Sequence, residues 1–181
     1  MNKKHSPIRG FSILEVLITA GIIGVITGIV VIKYGAFNNL ILLKNQAFQA
    51  ALDMRSTQTR ALSAQGRSGA AFRDGYGVYF NVSAATRDRY ILFVDTNGNN
   101  VYNSGEELET RMLDSRFVLS SLCSGSNCGL STMSVVFKRP NFDAVINNGS
   151  VSIGRINMVP KNGASATRTV VVNAAGQISV E

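Results

Sequence analysis

Two carboxylates bracket a run of oxygen-bearing side chains, DTNGNNVYNSGE, over residues 95–106. Asp95, Asn97, Asn99, Asn103 and Glu106 stand at positions 1, 3, 5, 9 and 12 of this run, and Val101 offers its carbonyl at position 7. That is the ligand spacing of an EF-hand calcium loop, in which a hard cation gathers six to eight oxygens. Asn100 stands where such loops place glycine, and only two of the ligands are charged. Any Ca2+ site here is therefore expected to be weak. The competing reading is an Asn-Gly turn whose Asx side chains bond the backbone. Asp95 and Glu106 are also the best acids for a glycosidase-like pair. The only histidine is His5, which excludes a Ser-His or Cys-His nucleophile system further along the chain, and no phosphate-cradling glycine loop is present. The sequence points away from an enzyme and implies no cofactor beyond weak calcium.

Cys123 and Cys128 lie in CSGSNC. As a metal half-site the pair lacks further ligands, whereas a local disulfide fits a domain outside the cytoplasm. The remaining group of chemical interest is Glu15, the one charge between Phe11 and Ile32. A carboxylate at the centre of a membrane helix costs about 2.5–3.5 kcal/mol. Near the end of such a helix it is either tolerated by reaching for the interface or held by a partner cation.

These residues must be positioned by their elements. Phe11–Ile32 has the length of a bilayer-crossing helix. Lys3, Lys4 and Arg9 precede it, which orients the short N-terminus to the cytoplasm and exports the chain beyond Lys33. A secretory signal would place small residues for cleavage after the apolar run, but here the helical pattern continues. Ala20, Gly24 and Gly28 recur every four residues, a spacing that allows close helix packing in lipid. From Asn38 to Ser63, Leu40, Leu43, Ala47, Phe48, Ala51, Met54 and Ala61 keep helical spacing. One helix is expected from about 11 to 64, ended by the Ala/Gln/Gly/Arg/Ser run at 64–70. After Phe72 the period changes to two, and eight strands are expected: 77–82, 90–94, 108–112, 117–122, 134–138, 151–157, 168–172 and 177–180. The fold class is α+β, a long N-terminal α-helix followed by an antiparallel β-sandwich-like domain.

The stretch RGFSILE, a basic leader followed by Gly, Phe and then Glu at the fifth position from Phe11, resembles the processing site of type IV prepilins and type II secretion pseudopilins. The resemblance implies cleavage by prepilin peptidase between Gly10 and Phe11, N-methylation of Phe11, and a role for Glu15 in assembly. Cleavage would create an α-ammonium at Phe11, and Glu15 of one subunit could then meet the Phe11 ammonium of its neighbour. YGVYF, the FVDTNGNNVYNSGEEL region and VVVNAAGQISVE are similar to the GspH/FimT-like branch of minor pilins and pseudopilins. On this resemblance the chain divides into a cleaved leader (1–10), a membrane and assembly half-helix (11–32), an amphipathic half-helix (33–66) and a β-rich domain (67–181). It implies a single-pass protein of the bacterial inner membrane with a periplasmic C-terminal domain, and other pilins or pseudopilins as partners.

The net charge of +7 falls to +4 without the three basic residues of the first ten (7 − 3). DNA uptake is the alternative function. It would need several basic residues on one face, and Arg139, Arg155, Lys161 and Arg168 are the late candidates. Some FimT-like proteins carry basic residues beside the C-terminal Gly. Here that segment is Gly176-Gln177-Ile178-Ser179, without arginine, so DNA is not the favoured partner.

Overall fold

The computed structural model describes residues 10–63, 74–163 and 165–181, with the backbone alone for 32–36. The basic residues Lys3, Lys4 and Arg9, the 64–70 run and Phe72 lie outside the described residues. One helix, α1, runs Ile13–Leu62, and ten strands come after it: β1 Gly75–Asn81, β2 Arg89–Asp95, β3 Glu107–Met112, β4 Phe117–Ser124, β5 Asn127–Leu130, β6 Thr132–Phe137, β7 Ala144–Ile146, β8 Ile153–Pro160, β9 Arg168–Asn173 and β10 Ile178–Val180. The chain is α+β. By internal contacts it divides into two compact units, Met1–Asn39 and Leu40–Glu181.

The first unit holds the apolar helical segment Ile13–Val31, with a mean hydropathy of 2.4 and none of it buried. It is long and apolar enough to cross a membrane. Ser12 begins the helix: its hydroxyl accepts from Leu14 N (3.3 Å), and its carbonyl accepts from Glu15 N and Val16 N.

In the second unit the helix buries Leu43, Ala47, Ala50, Ala51, Met54, Thr57 and Ala61. These spacings of three and four make one stripe on one face. Four of them are alanines, and all but Thr57 belong to the core shared with the strands. Leu40 and Phe48, which share the helical period, are instead 43% exposed. The buried stripe is thus narrower than the apolar pattern.

The strands form two five-stranded antiparallel sheets, ordered β3-β2-β1-β6-β7 and β10-β9-β8-β4-β5. One core joins them to the helix. Val78, Phe80, Leu92, Val135 and Ile146 come from the first sheet, Leu119, Leu122, Ile156, Val170 and Val172 from the second. Two strands exceed the eight expected from the period. β5 is built of turn-type residues, Asn-Cys-Gly-Leu, and pairs only along β4. β7 is three residues long and pairs along β6, with one isolated bridge from Ile146 to Val151. Neither has the alternating run that marks a strand in sequence, and both are recruited by a neighbour's free edge. The helix is also tied to the end of the chain. Arg55 donates to the Ile178 carbonyl (2.9 Å), and Gln58 donates to the carbonyls of Phe142 (2.8 Å) and Gly176 (3.1 Å).

Candidate functional site

Two places combine unusual chemistry with defined geometry: the exposed apolar helix and the 95–106 loop. On the helix, Gly10, Phe11 and Glu15 are all exposed, Phe11 to 82%. Glu15 lies in the first helical turn, where the unpaired N–H groups and the helix dipole favour a negative charge. With Ser12 it has the S-x-x-E spacing of a capping box, a signal that sequence reasoning did not use. Within this single chain Glu15 makes no ion pair among the described residues. Ala20, Gly24 and Gly28 are exposed along one side of the helix, and a Cβ at either glycine would meet open space. The unit presents a bare apolar surface with a small-residue seam.

The 95–106 loop is not a two-residue Asn-Gly hairpin turn. β2 ends at Asp95 and β3 starts at Glu107, and the intervening residues fold back over the outer face of the first sheet. Tyr102 stacks against Tyr79 (centroids 4.6 Å) and meets Phe93 edge-on (5.5 Å), while its N–H donates to Ser134 Oγ (3.1 Å). Beneath it Phe93 and Val136 are fully buried, on the face opposite the main core. Gly77 makes room for this: a Cβ there would come within 2.6 Å of the Phe93 ring. The Tyr102 hydroxyl bonds Glu107, and its acidity is pushed down, to a pKa of about 12, by burial first and then by that carboxylate.

The loop's acceptors are turned on its own backbone. Glu106 is buried; its Oε1 accepts from Thr96 N and Oγ1 (both 3.1 Å) and its Oε2 from Asn103 N (2.9 Å). Asn97 Oδ1 accepts from Asn99 N (3.0 Å), and Asn99 Oδ1 from Val101 N (2.9 Å). The side-chain amides of Asn97 and Asn99 both reach Asn103 Oδ1, at 2.9 and 2.7 Å. Asn100 fills the glycine position by adopting φ +62°, and its N–H donates to Asp95 Oδ2 (3.0 Å). Asparagine is among the few residues that take this conformation at modest cost. Asp95 itself has no exposure, and Lys138 Nζ lies 3.2 Å from its Oδ2. The structure thus brings all six sequence-predicted loop positions into one turn. Among the described residues no group of three or more His, Cys, Asp or Glu could hold a metal, so any site here depends on amide and carbonyl oxygens.

The other candidate residues are separate. Cys123 and Cys128 form a disulfide across β4 and β5, with Cys123 buried and Cys128 exposed. Three of the late basic residues bond carbonyls: Arg139 Nε donates to the Ala61 carbonyl (2.9 Å), the Arg155 guanidinium to the Gly125 carbonyl, and Arg168 to its neighbour Thr167 (2.9 Å). Gly176 carries φ +77°, and a Cβ there would overlap the Phe142 carbonyl oxygen. A glycine at this position is explained by packing.

What fold and surface define is a class: an α+β chain with one membrane-length exposed helix at its N-terminus and two antiparallel sheets sharing a core with the helix's second half. Comparison with models of known protein families, with curated proteins and with solved structures gave no match.

Proposed function

We propose that the chain is a structural subunit, a minor pilin or pseudopilin, of a type IV pilus or type II secretion pseudopilus. On this reading the two sheets and the helix form a pilin-like sandwich. The protein waits in the bacterial inner membrane with its second unit in the periplasm, where the Cys123–Cys128 disulfide is at home. The observation that carries the proposal is the helix Ile13–Val31, wholly exposed and apolar, starting just after Gly10-Phe11 and holding the single carboxylate Glu15. A surface of this kind must be covered, by lipid before assembly and by the equivalent helices of other subunits afterwards. Prepilin peptidase cutting between Gly10 and Phe11, with N-methylation of Phe11, supplies the cation that Glu15 lacks. In a dry helical bundle the ammonium of one subunit and Glu15 of the next attract strongly, and mispairing leaves a buried charge. That fixes the axial register of the filament.

Co-expression with a prepilin peptidase tests this. The chain should shorten to start at Phe11, and Gly10→Ala should block the cut. Glu15→Ala should still insert in the membrane but fail to enter filaments. A mature N-terminus elsewhere, or normal assembly of Glu15→Ala, defeats the reading.

A further inference from the structure

We propose that the second unit docks on anionic phospholipid headgroups of the bilayer that the chain's own helix crosses, through the end of the unit where the helix enters it. The strands are antiparallel, so their connections fall at two opposite ends. The segments 82–88, 113–116 and 161–167 share one end. Asp114 N donates to Gln46 Oε1 (3.2 Å), which sets this end beside the helix's first turns in the unit. Leu113 N donates to the Asp88 carbonyl, Leu119 N to the Arg87 carbonyl and Lys161 N to the Arg116 carbonyl, each at 2.8 Å. The segments are thus stapled to one another, and their side chains stand on a fixed frame. With the flanking strand residues, 81–89, 112–117 and 160–168 carry five cations and two carboxylates (5 − 2 = +3). At the opposite end, 95–107 and 137–144 carry two cations and four carboxylates (2 − 4 = −2). Glu181, whose backbone pairs with Thr169, adds one acid to the first end, and Lys44 of the helix adds one cation.

The two carboxylates among the cations are already engaged. Arg89 Nε lies 2.9 Å from Asp88 Oδ1, and Arg116 Nη2 lies 2.7 Å from Asp114 Oδ2. Lys44, Arg87 and Lys161 are exposed and make no ion pair among the described residues. Apolar side chains are exposed among them. Met112, 58% exposed, stands cross-strand from Arg89. On the helix Ile41 and Phe48 are exposed, and Lys44 Nζ lies 5.7 Å from the Phe48 ring centroid. Cations interleaved with apolar side chains suit a lipid interface, where the charges meet phosphates and the apolar groups enter between headgroups. A nucleic acid backbone has no use for Met112 or Ile41. Chain length keeps this end near the bilayer. Val31 closes the apolar segment, and Leu40 opens the second unit nine residues later (40 − 31). Nine residues span about 32 Å at full extension. A tether of that length makes weak attraction effective, and each Lys or Arg at an anionic surface contributes about fivefold to association. The inference rests on the membrane-crossing part of the reading above, and not on cleavage at Gly10 or on filament assembly.

The test places the full chain in nanodiscs of phosphatidylcholine alone, or with roughly one third phosphatidylglycerol, each containing a lipid with a quencher on its headgroup. A fluorophore is attached at Ser115→Cys, in the cationic end, or at Ala175→Cys, in the turn between β9 and β10 at the opposite end; both positions are exposed. The native cysteines are joined to each other, so the added thiol alone is labelled. Quenching at position 115 should be severalfold greater with phosphatidylglycerol and should fall back at about 0.5 M NaCl. Position 175 should not distinguish the two lipids. Arg87→Gln with Lys161→Gln removes two exposed charges, should leave the melting temperature unchanged, and should weaken docking about 25-fold. Equal quenching at position 115 in the two lipids overturns the proposal. So does quenching that the double variant leaves unchanged, or the same lipid response at position 175. Retardation of duplex DNA that the double variant abolishes, without any response to lipid charge, assigns the face to nucleic acid and also overturns it. A chain that fails to enter nanodiscs overturns this inference together with the membrane reading. A chain that enters but ignores lipid charge overturns this inference alone, and the cleavage and Glu15 experiments stand as before.

Discussion

At the scale of single residues, the buried polar groups of the second unit form a network that fixes the helix against the first sheet. Tyr90 Oη donates to Asp53 Oδ2 at 2.6 Å, Gln49 Nε2 donates to Oδ1 at 3.2 Å, and Arg111 Nε lies 3.5 Å from Oδ2. Burial first, then the Asp53 carboxylate, holds the Tyr90 hydroxyl well above its ordinary pKa, so it stays a donor. Tyr90→Phe removes that donor and should destabilise by about 1–3 kcal/mol. In urea unfolding the midpoint falls while the slope is unchanged. Asp53→Leu in the Tyr90→Phe background should cost less than Asp53→Leu alone, because the two groups share one interaction. Strict additivity in that cycle would show that the hydrogen bond contributes nothing. Sequence alone gave no hint of this network. Asp53 sits inside a helical pattern as an ordinary polar residue, and its partners from the sheet lie 37 and 58 residues away (90 − 53; 111 − 53). The loop residues were legible because their signal is local: Asx spacing and two bracketing carboxylates. Their arrangement over Phe93 was not, since nothing local says that a turn will fold back onto a sheet.

Elements show the same division at longer range. The strongly alternating strands were readable from period, whereas β5 and β7 exist because β4 and β6 offer unpaired backbone. β5 is held by one further device, the disulfide across Cys123 and Cys128. Closing so short a loop restricts the unfolded chain by ~2 kcal/mol. Reduction, or Cys123→Ala with Cys128→Ala, should lower stability by about that amount. The loss should be local. Amide exchange should speed up in residues 125–130, at the sheet's edge, while β8 and β9 keep their protection. Global loss of protection would mean that the bridge supports the core. The outer strand of the first sheet, β3, is protected differently: Glu107, Glu109 and Arg111 put charge along its length, which discourages pairing with another chain.

For the whole molecule, the boundary at Asn39/Leu40 separates a unit whose apolar segment Ile13–Val31 has none of it buried from one with a core. Residues 40–181 made alone should be soluble, folded and monomeric, and the full chain should require detergent. Circular dichroism and gel filtration check this, and aggregation of the shorter chain would mean that its core is incomplete without the first 39 residues. The helix bridging the two units was legible from its periodicity, but the exposure of Leu40 and Phe48 was not, because a pattern does not say how wide a stripe the sheets will cover. The bonds from Arg55 and Gln58 to Ile178 and Gly176 carry a consequence for timing. The first element of the second unit is held by carbonyls 123 and 118 residues further along the chain. The unit cannot seal its core over the helix until β10 has been made. A chain clipped before β10 loses the Arg55 bond and the Ile178 side chain from the core, and so opens more readily to a protease that samples open chains.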